Sequence, residues 1–249
     1  DLPISLEKGT SVIATLPRAD MRDILLIKKN NIDSIKEKKS IKISTSSPRR
    51  SYNISSFLNK ATPFDINTVC FSDIRGNIPT RLNKFIAGKS DGIVLAKAAL
   101  DRILENSNKD LAQKITNILQ DTLWMVLPLS ENPCAPAQGA IAIEVNDKRN
   151  DIIDIVKCIN HSETFKSVKI ERNTLEKYGG GCHQKIGVSN EKTFFGDIFT
   201  IKGITDDNII LNTRKITRKN KKGDLWKSIS SENIFPSSLE KYNIFTREE

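Results

Sequence analysis

Ser40-Ile41-Lys42-Ile43-Ser44-Thr45-Ser46-Ser47-Pro48-Arg49-Arg50 is the stretch that decides the fold. Ser40 to Ser44 alternates polar and branched apolar residues, the period of a strand. Ser46 and Ser47 carry hydroxyls able to cap a helix, and Pro48 suits its first position. Ile54, Phe57 and Leu58 continue that helix on one face. The same unit then recurs. Val69 to Ser72 reads as a strand, Asp73-Ile74-Arg75-Gly76-Asn77 as its turn, and Leu82, Phe85 and Ile86 as one face of a helix ending at Gly88. Asp91-Gly92 leads into the strand Ile93-Val94-Leu95-Ala96, with Lys97 to Leu104 helical again. Short strands alternating with helices predict α/β layers.

Outside this region Ser11 to Ala14 reads as a strand, Ala140 to Val145 as a buried strand, and Asp151 to Ile159 as a helix. Asn132-Pro133-Cys134-Ala135-Pro136 breaks the pattern and predicts a crossover or hinge. From about Ser162 the character changes. A helix over Thr164–Tyr178 ends in glycines 179–181, and Phe194 to Ile204 and Asn208 to Ile216 pair as antiparallel strands around Asp206-Asp207, a second, α+β unit. Residues 223–249 show no clear pattern.

The 249 residues carry 39 Lys+Arg against 30 Asp+Glu, a net charge of +9, with 38% hydrophobic residues, which excludes a collagenous or strongly disordered chain. No apolar run approaches the ~18–20 residues of a bilayer span, and no cationic segment followed by an apolar one reads as a secretion signal. The four cysteines form no C-x-x-C pair and are too sparse for a disulfide scaffold, so a reducing cytosol is the default. The positive balance fits a nucleic-acid surface or a cleft that gathers small polyanions. With aromatics at 6% and no nucleic-acid-binding motif, nucleic acid ranks last.

Arg49 and Arg50 open a helix whose N-terminus already favours an anion. Arg75 lies in a loop after a strand, Arg81 along the next helix and Arg102 on the helix after that. Loops beyond the strand carboxyl ends form the binding crevice of open α/β sheets, so Arg49, Arg50 and Arg75 can converge there, with Arg81 and Arg102 on the same wall. Guanidinium forks suit carboxylates or phosphates. Any one of these could instead be an ordinary surface arginine.

Cys182 stands in Tyr178-Gly179-Gly180-Gly181-Cys182-His183, a glycine loop that suits covalent attachment or nucleophilic chemistry, with an inert thiol as the alternative. A zinc site from Cys158, His161, Cys182 and His183 has no common ligand spacing, and no metal is expected. Cys70, inside an apolar strand, reads as core. Asp1 reads as a terminal, mobile acid, and Arg18-Ala19-Asp20-Met21-Arg22-Asp23 as surface charge at a domain boundary. Gln138, in a tight loop before a strand, can donate to a carboxylate.

Together these motifs resemble the porphobilinogen deaminases (hydroxymethylbilane synthases). Ser44 to Arg50 is similar to the family's T-S-S-x-R-R motif, Arg75-Gly76-Asn77 with Thr80-Arg81-Leu82 to R-G-N-x-x-T-R-L, and Arg18 to Asp23 to its R-x-D-x-R-D hinge signature. Asp91 to Ala96 with Leu100 and Arg102, Ala135 to Ala140, and Gly180-Gly181-Cys182 with Ile186-Gly187 complete the order. Pro48, Ala99 and Ala137 depart from the usual residues.

The resemblance implies two periplasmic-binding-protein-like α/β domains, the first incomplete, plus a small C-terminal α+β domain. Residues 1–18 and 137–158 would be the remainder of domain 1, 19–136 domain 2, 159–222 domain 3, and 223–249 a tail or linker, faintly similar at its end to the start of a uroporphyrinogen-III synthase. It implies a cytoplasmic transferase that joins four porphobilinogens with loss of ammonia, giving hydroxymethylbilane for heme biosynthesis. A dipyrromethane cofactor would be attached covalently to Cys182. Asp1 would stabilise pyrrole N–H groups and the cation formed as ammonia leaves. Ser46, Ser47, Arg49, Arg50, Arg75 and Gln138 would bind the cofactor, and Arg49, Arg75, Arg81 and Arg102 the substrate. The expected state is a monomer without nucleic acid or membrane, with a fused or associated uroporphyrinogen-III synthase as a further partner. An N-terminally shortened chain would be inactive alone. The rival reading is a non-catalytic module binding small polycarboxylates.

Overall fold

A computed structural model describes residues 6–105, 109–180 and 183–218. Strand β1 (Thr10–Thr15) leads through an extended crossing into β2 (Asp23–Lys28), followed by α1 (Ile32–Lys38), β3 (Ser40–Ser44) and α2 (Pro48–Ala61). Then come β4 (Thr68–Ser72), α3 (Ile78–Ala87), β5 (Gly92–Ala96), α4 (Lys97–Leu104), α5 (Lys109–Gln120) and β6 (Thr122–Val126). Strands β2 to β6 form one five-stranded sheet in the order β4-β3-β5-β2-β6. β3 is parallel to β4 and β5, whereas β2 runs antiparallel to both its neighbours. This is the layered α/β architecture that the strand–helix repeat of the sequence predicts.

β2 escapes the strand–helix pattern because Ile24-Leu25-Leu26-Ile27 is continuously apolar. The reason lies in its central place. Leu25 and Ile27 pack with Ile43, Ile54 and Leu58 on the α2 side, while Ile24 and Leu26 pack with Leu82, Phe85 and Leu100 on the other. A strand buried on both faces shows no alternation. β4 is the sheet edge, so its reading needs correcting. Val69 and Phe71 pack inward, but Cys70 points to the opposite, open side and is exposed rather than core. Ile86 likewise is exposed, leaving Leu82 and Phe85 as the buried face of α3.

The chain leaves the sheet after β6 and returns alongside β1. Here β7 (Ala142–Asn146) pairs antiparallel with β1, and α6 (Asn150–Lys157) packs on this ribbon. Because two strands bury little, β7 is only part-buried and Ile141 before it is 57% exposed, unlike the buried strand expected there. α7 (Ser162–Glu176) then covers an antiparallel sheet of β8 (Lys185–Lys192), β9 (Gly196–Ile204) and β10 (Ile210–Arg218), in the order β10-β9-β8. Leu175, Ile186, Val188 and Ile201 form its core. The predicted pairing around Asp206-Asp207 is present as β9 and β10.

Candidate functional site

The carboxyl ends of the parallel strands β3, β4 and β5 lie along one edge of the sheet, and the antiparallel β2 begins there with Asp23. Helix starts gather at the same edge. Ser47 caps α2, its Oγ accepting from the Arg50 N–H, with Pro48 at the first turn as its sequence predicts. Asn77 caps α3 through the Thr80 N–H at 2.9 Å. Ser46 Oγ both donates to Ile74 O (3.0 Å) and accepts from Ile74 N (2.9 Å), so it fixes the β4–α3 loop to the β3–α2 loop. Gly76 in that loop has φ +123, and a Cβ there would meet Thr80 Cγ2 at 2.8 Å.

Asp23 is the unexpected centre. Its carboxylate is completely buried and accepts from Arg49 Nη2 (2.8 Å), Arg50 Nη2 (2.7 Å), Asn132 Nδ2 (2.9 Å) and Gln138 Nε2 (2.9 Å). Burial opposes ionisation, but the two guanidinium charges outweigh it and hold the carboxyl well below the usual range. Arg49 completes its fork on Pro133 O (2.7 Å) and Asn132 Oδ1 (3.2 Å). Gln138 thus does donate to a carboxylate, that of Asp23, and also bonds Met21 O at 2.8 Å.

The Arg18–Asp23 segment is therefore not simply surface charge. Arg22 and Asp20 form a partly exposed pair, but Arg18 is buried against Glu171 of α7 in a two-pronged ion pair at 2.7 and 2.8 Å. Glu171 also accepts from Ala137 N (2.9 Å) and Asn190 N (2.7 Å), and Arg18 Nε donates to Gln138 O. One carboxylate therefore ties the third unit to both chain crossings. Val188 N donates to Cys134 O at 2.9 Å beside it. Burial pushes the Cys134 thiol far up, so it stays protonated.

Outward from Asp23 the positive charge is not balanced. Arg50 Nε is buried without a hydrogen-bond partner. Arg81, part-buried, donates to Gly76 O at 2.6 Å. Burial first, and then the charges of Arg50 and Arg75, lower its pKa. Arg75 is exposed in the loop between them. Cations gathered at helix starts suit a multiply charged anion. Arg102 stands apart, exposed on α4, and no contact among the described residues joins it to this cluster.

Asp1 and Cys182 lie outside the described residues, as does Gly181. Beside them Gly179 and Gly180 adopt φ +88 and +61, and His183 is exposed. His161 is occupied in capping α7, accepting from Thr164 N. Asp23, Asn132 and Glu171 are the residues sequence reasoning missed. The available signal was Asp23 opening a four-residue apolar run, a position that buries the acid with its strand.

Fold and site together define an α/β protein with a crevice at the strand carboxyl ends lined by arginines. Residues 1–154 match the family model described as "Porphobilinogen deaminase, dipyromethane cofactor binding domain". The chain belongs to the porphobilinogen deaminase family. It is 35% identical over 188 residues to a porphobilinogen deaminase of Caldicellulosiruptor saccharolyticus, covering 76% of this chain and 57% of that one. A probable porphobilinogen deaminase of Picrophilus torridus is 30% identical over 217 residues, covering 87% of this chain and 67% of that one. A porphobilinogen deaminase of a Nostoc species is 32% identical, with 77% and 53% covered. The chain thus spans about half to two thirds the length of these relatives. Among solved structures, one from a study of glutathione import in Streptococcus mutans aligns over 68% of this chain and 64% of that chain, at 14% identity and a TM-score of 0.30. The fold assignment rests on the strand order itself.

Proposed function

We propose that this chain is the main part of a hydroxymethylbilane synthase, a transferase that joins four porphobilinogen units with release of ammonia in tetrapyrrole biosynthesis. One observation carries the reading: the charges of Arg50 and Arg75 bear on Arg81 at the crevice, and among the described residues neither Arg75 nor Arg81 forms an ion pair with an acid. Porphobilinogen bears two carboxylates, so a growing chain of pyrroles delivers the negative charge this cluster lacks. The exposed guanidinium fork of Arg75 fits a carboxylate of a covalently held dipyrromethane.

In this reading Cys182 is the attachment residue, and the dipyrromethane would supply the nucleophilic pyrrole carbon that primes the chain. Arg50, Arg75 and Arg81 bind and orient carboxylates, with Arg102 serving units further out. Arg49 and Gln138 act through Asp23, holding Arg50 in place. Ser46 and Ser47 fix the loops from which the arginines project. Asp1 would supply the negative charge that stabilises the cation formed as ammonia departs. The three sheets correspond to the remainder of domain 1, domain 2 and the cofactor-bearing domain 3. A cytoplasmic monomer, alone or linked to a uroporphyrinogen-III synthase, completes the proposal. None of the described helices is long and apolar enough to cross a membrane.

The test is turnover of porphobilinogen by the full-length protein and its Arg81→Met variant, whose substitution removes charge at a partly exposed position. The expected result is a loss of about tenfold or more in kcat/KM, the scale of one desolvated charge-assisted hydrogen bond. Undiminished turnover in Arg81→Met would remove the arginine cluster from the reaction.

A further inference from the structure

At the end of the five-stranded sheet away from the crevice lies a cavity of about 260 Å³ that the proposed chemistry does not use. β3 begins there. Its alternation sends Ile41 and Ile43 into the core and leaves Ser40 and Lys42 on the other face. β4 pairs with it in parallel register, Ser40 with Thr68 and Lys42 with Cys70. Lys42 and Cys70 therefore stand side by side on that face, and both are exposed. Two connections bring further cations. Lys39, at φ 48, turns the chain straight from α1 into β3, which leaves Lys38 at the helix end beside the start of the strand. Lys89 comes from the loop between α3 and β5. Asp91 ties that loop to β3, its N–H donating to Lys42 O and its Oδ2 accepting from Lys42 N, both at 2.8 Å. Lys38, Lys42 and Lys89 thus line one cavity together with Ser34 and Ser40.

The protein does not meet this charge itself. Neighbouring Lys36 and Lys39 pair with Asp33 and Asp65, but among the described residues Lys38, Lys42 and Lys89 form no ion pair. Asp91 is the one acid on the wall, and its other carboxylate oxygen already accepts from Asn31 Nδ2 at 2.6 Å. Three cations therefore face a single acid that is held in place by other donors. The kind of cation also matters. Ammonium groups are point charges with rotatable donors and suit phosphate oxygens, whereas carboxylates are better held by guanidinium forks, and no arginine lines the cavity. Its volume lies below the ~300 Å³ at which pockets for larger organic ligands begin, so the ligand is small.

We propose that this cavity binds a small phosphate-bearing anion through Lys38, Lys42 and Lys89. The inference shares no residue with the arginine crevice, so it stands whether or not the proposed reaction does. Cys70, which lines the cavity, is the reporter, and exposed Cys158 at the end of α6 is the standard. Full-length protein would be alkylated with iodoacetamide, and the rate at each cysteine read by peptide mass spectrometry. Parallel reactions at equal ionic strength contain inorganic pyrophosphate, glycerol 3-phosphate or citrate. Lys42→Met and Lys89→Met remove one cavity charge each at exposed positions, whereas Lys36→Met breaks a pair outside the cavity.

A ligand that covers the thiol slows its labelling about threefold at twice its dissociation constant. The expected result is that pyrophosphate, glycerol 3-phosphate or both lower the Cys70-to-Cys158 rate ratio by that much or more, while citrate leaves it nearly unchanged. Protection by pyrophosphate alone marks an inorganic ligand, and protection by the ester marks a phosphorylated metabolite. The protection should disappear in Lys42→Met or Lys89→Met and persist in Lys36→Met. A ratio that neither phosphate changes overturns the proposal. So does slowing by citrate as strong as by the phosphates, or protection that survives in both cavity variants.

Discussion

Replacing Asp23 with alanine removes the only anion in contact with two buried guanidinium groups among the described residues. Arg49 and Arg50 approach it at 2.8 and 2.7 Å, and all three side chains are at most about a tenth exposed. At an effective dielectric near 20 each contact amounts to about 4 kcal/mol of Coulomb energy, offset by several kcal/mol of desolvation per ion. The net worth of the intact group is therefore small, but truncation leaves two cations buried without their partner, and the expected loss is about 3–5 kcal/mol. In a chain of this size that lowers Tm by roughly 2–4 °C per kcal/mol. Urea unfolding followed by circular dichroism measures it. Asp33→Ala, which breaks an exposed pair with Lys36, is the control and should leave the midpoint unchanged. Because the folded carboxyl is held below its usual range, the unfolded chain binds the extra proton. The stabilisation is therefore complete above the unfolded pKa of about 4 and is lost as pH falls below it, in the unaltered protein but not in Asp23→Ala. A loss under about 1 kcal/mol, or an identical acid limb in both proteins, would refute the argument.

Glu171→Gln should loosen the third unit, since the neutral amide pairs poorly with Arg18. Hydrogen exchange in β8 and β9 should rise before exchange in the five-stranded sheet does. Gly187→Ala places a Cβ 2.3 Å from Pro133 O, so β8 must draw away from the hinge segment, at a cost of about 1–3 kcal/mol in urea unfolding. Among the described cysteines, iodoacetamide should label Cys70 and Cys158 in the folded protein but reach Cys134 only on unfolding, because its thiol is buried and held protonated.

The strand–helix repeat was legible because each unit carries its own punctuation. Ser47 and Pro48 start α2, Asn77 starts α3, and β3, β4 and β5 each turn directly into a helix. What could not be read was anything set by the far side of the sheet. β2 looks like an unpatterned apolar run until its two faces are seen packed, and Cys70 looks buried until β4 proves to be an edge. The place of the arginines at loop–helix junctions was legible. Their inner partner was not. Asp23 lies 26 and 27 positions from Arg49 and Arg50, and Asn132 and Gln138 come from a crossing more than 100 positions away. Local sequence carries no record of contacts that only chain crossing creates, and Arg18 with Glu171 is the same case across 153 positions.

The most direct test is the intact mass of the full-length protein after exposure to porphobilinogen, beside its Cys182→Ala variant. The account predicts a covalent dipyrromethane adduct on the unaltered protein and none on the variant, with porphobilinogen consumption lost alongside the adduct. An unmodified thiol in the exposed protein, or continued turnover by Cys182→Ala, would contradict it.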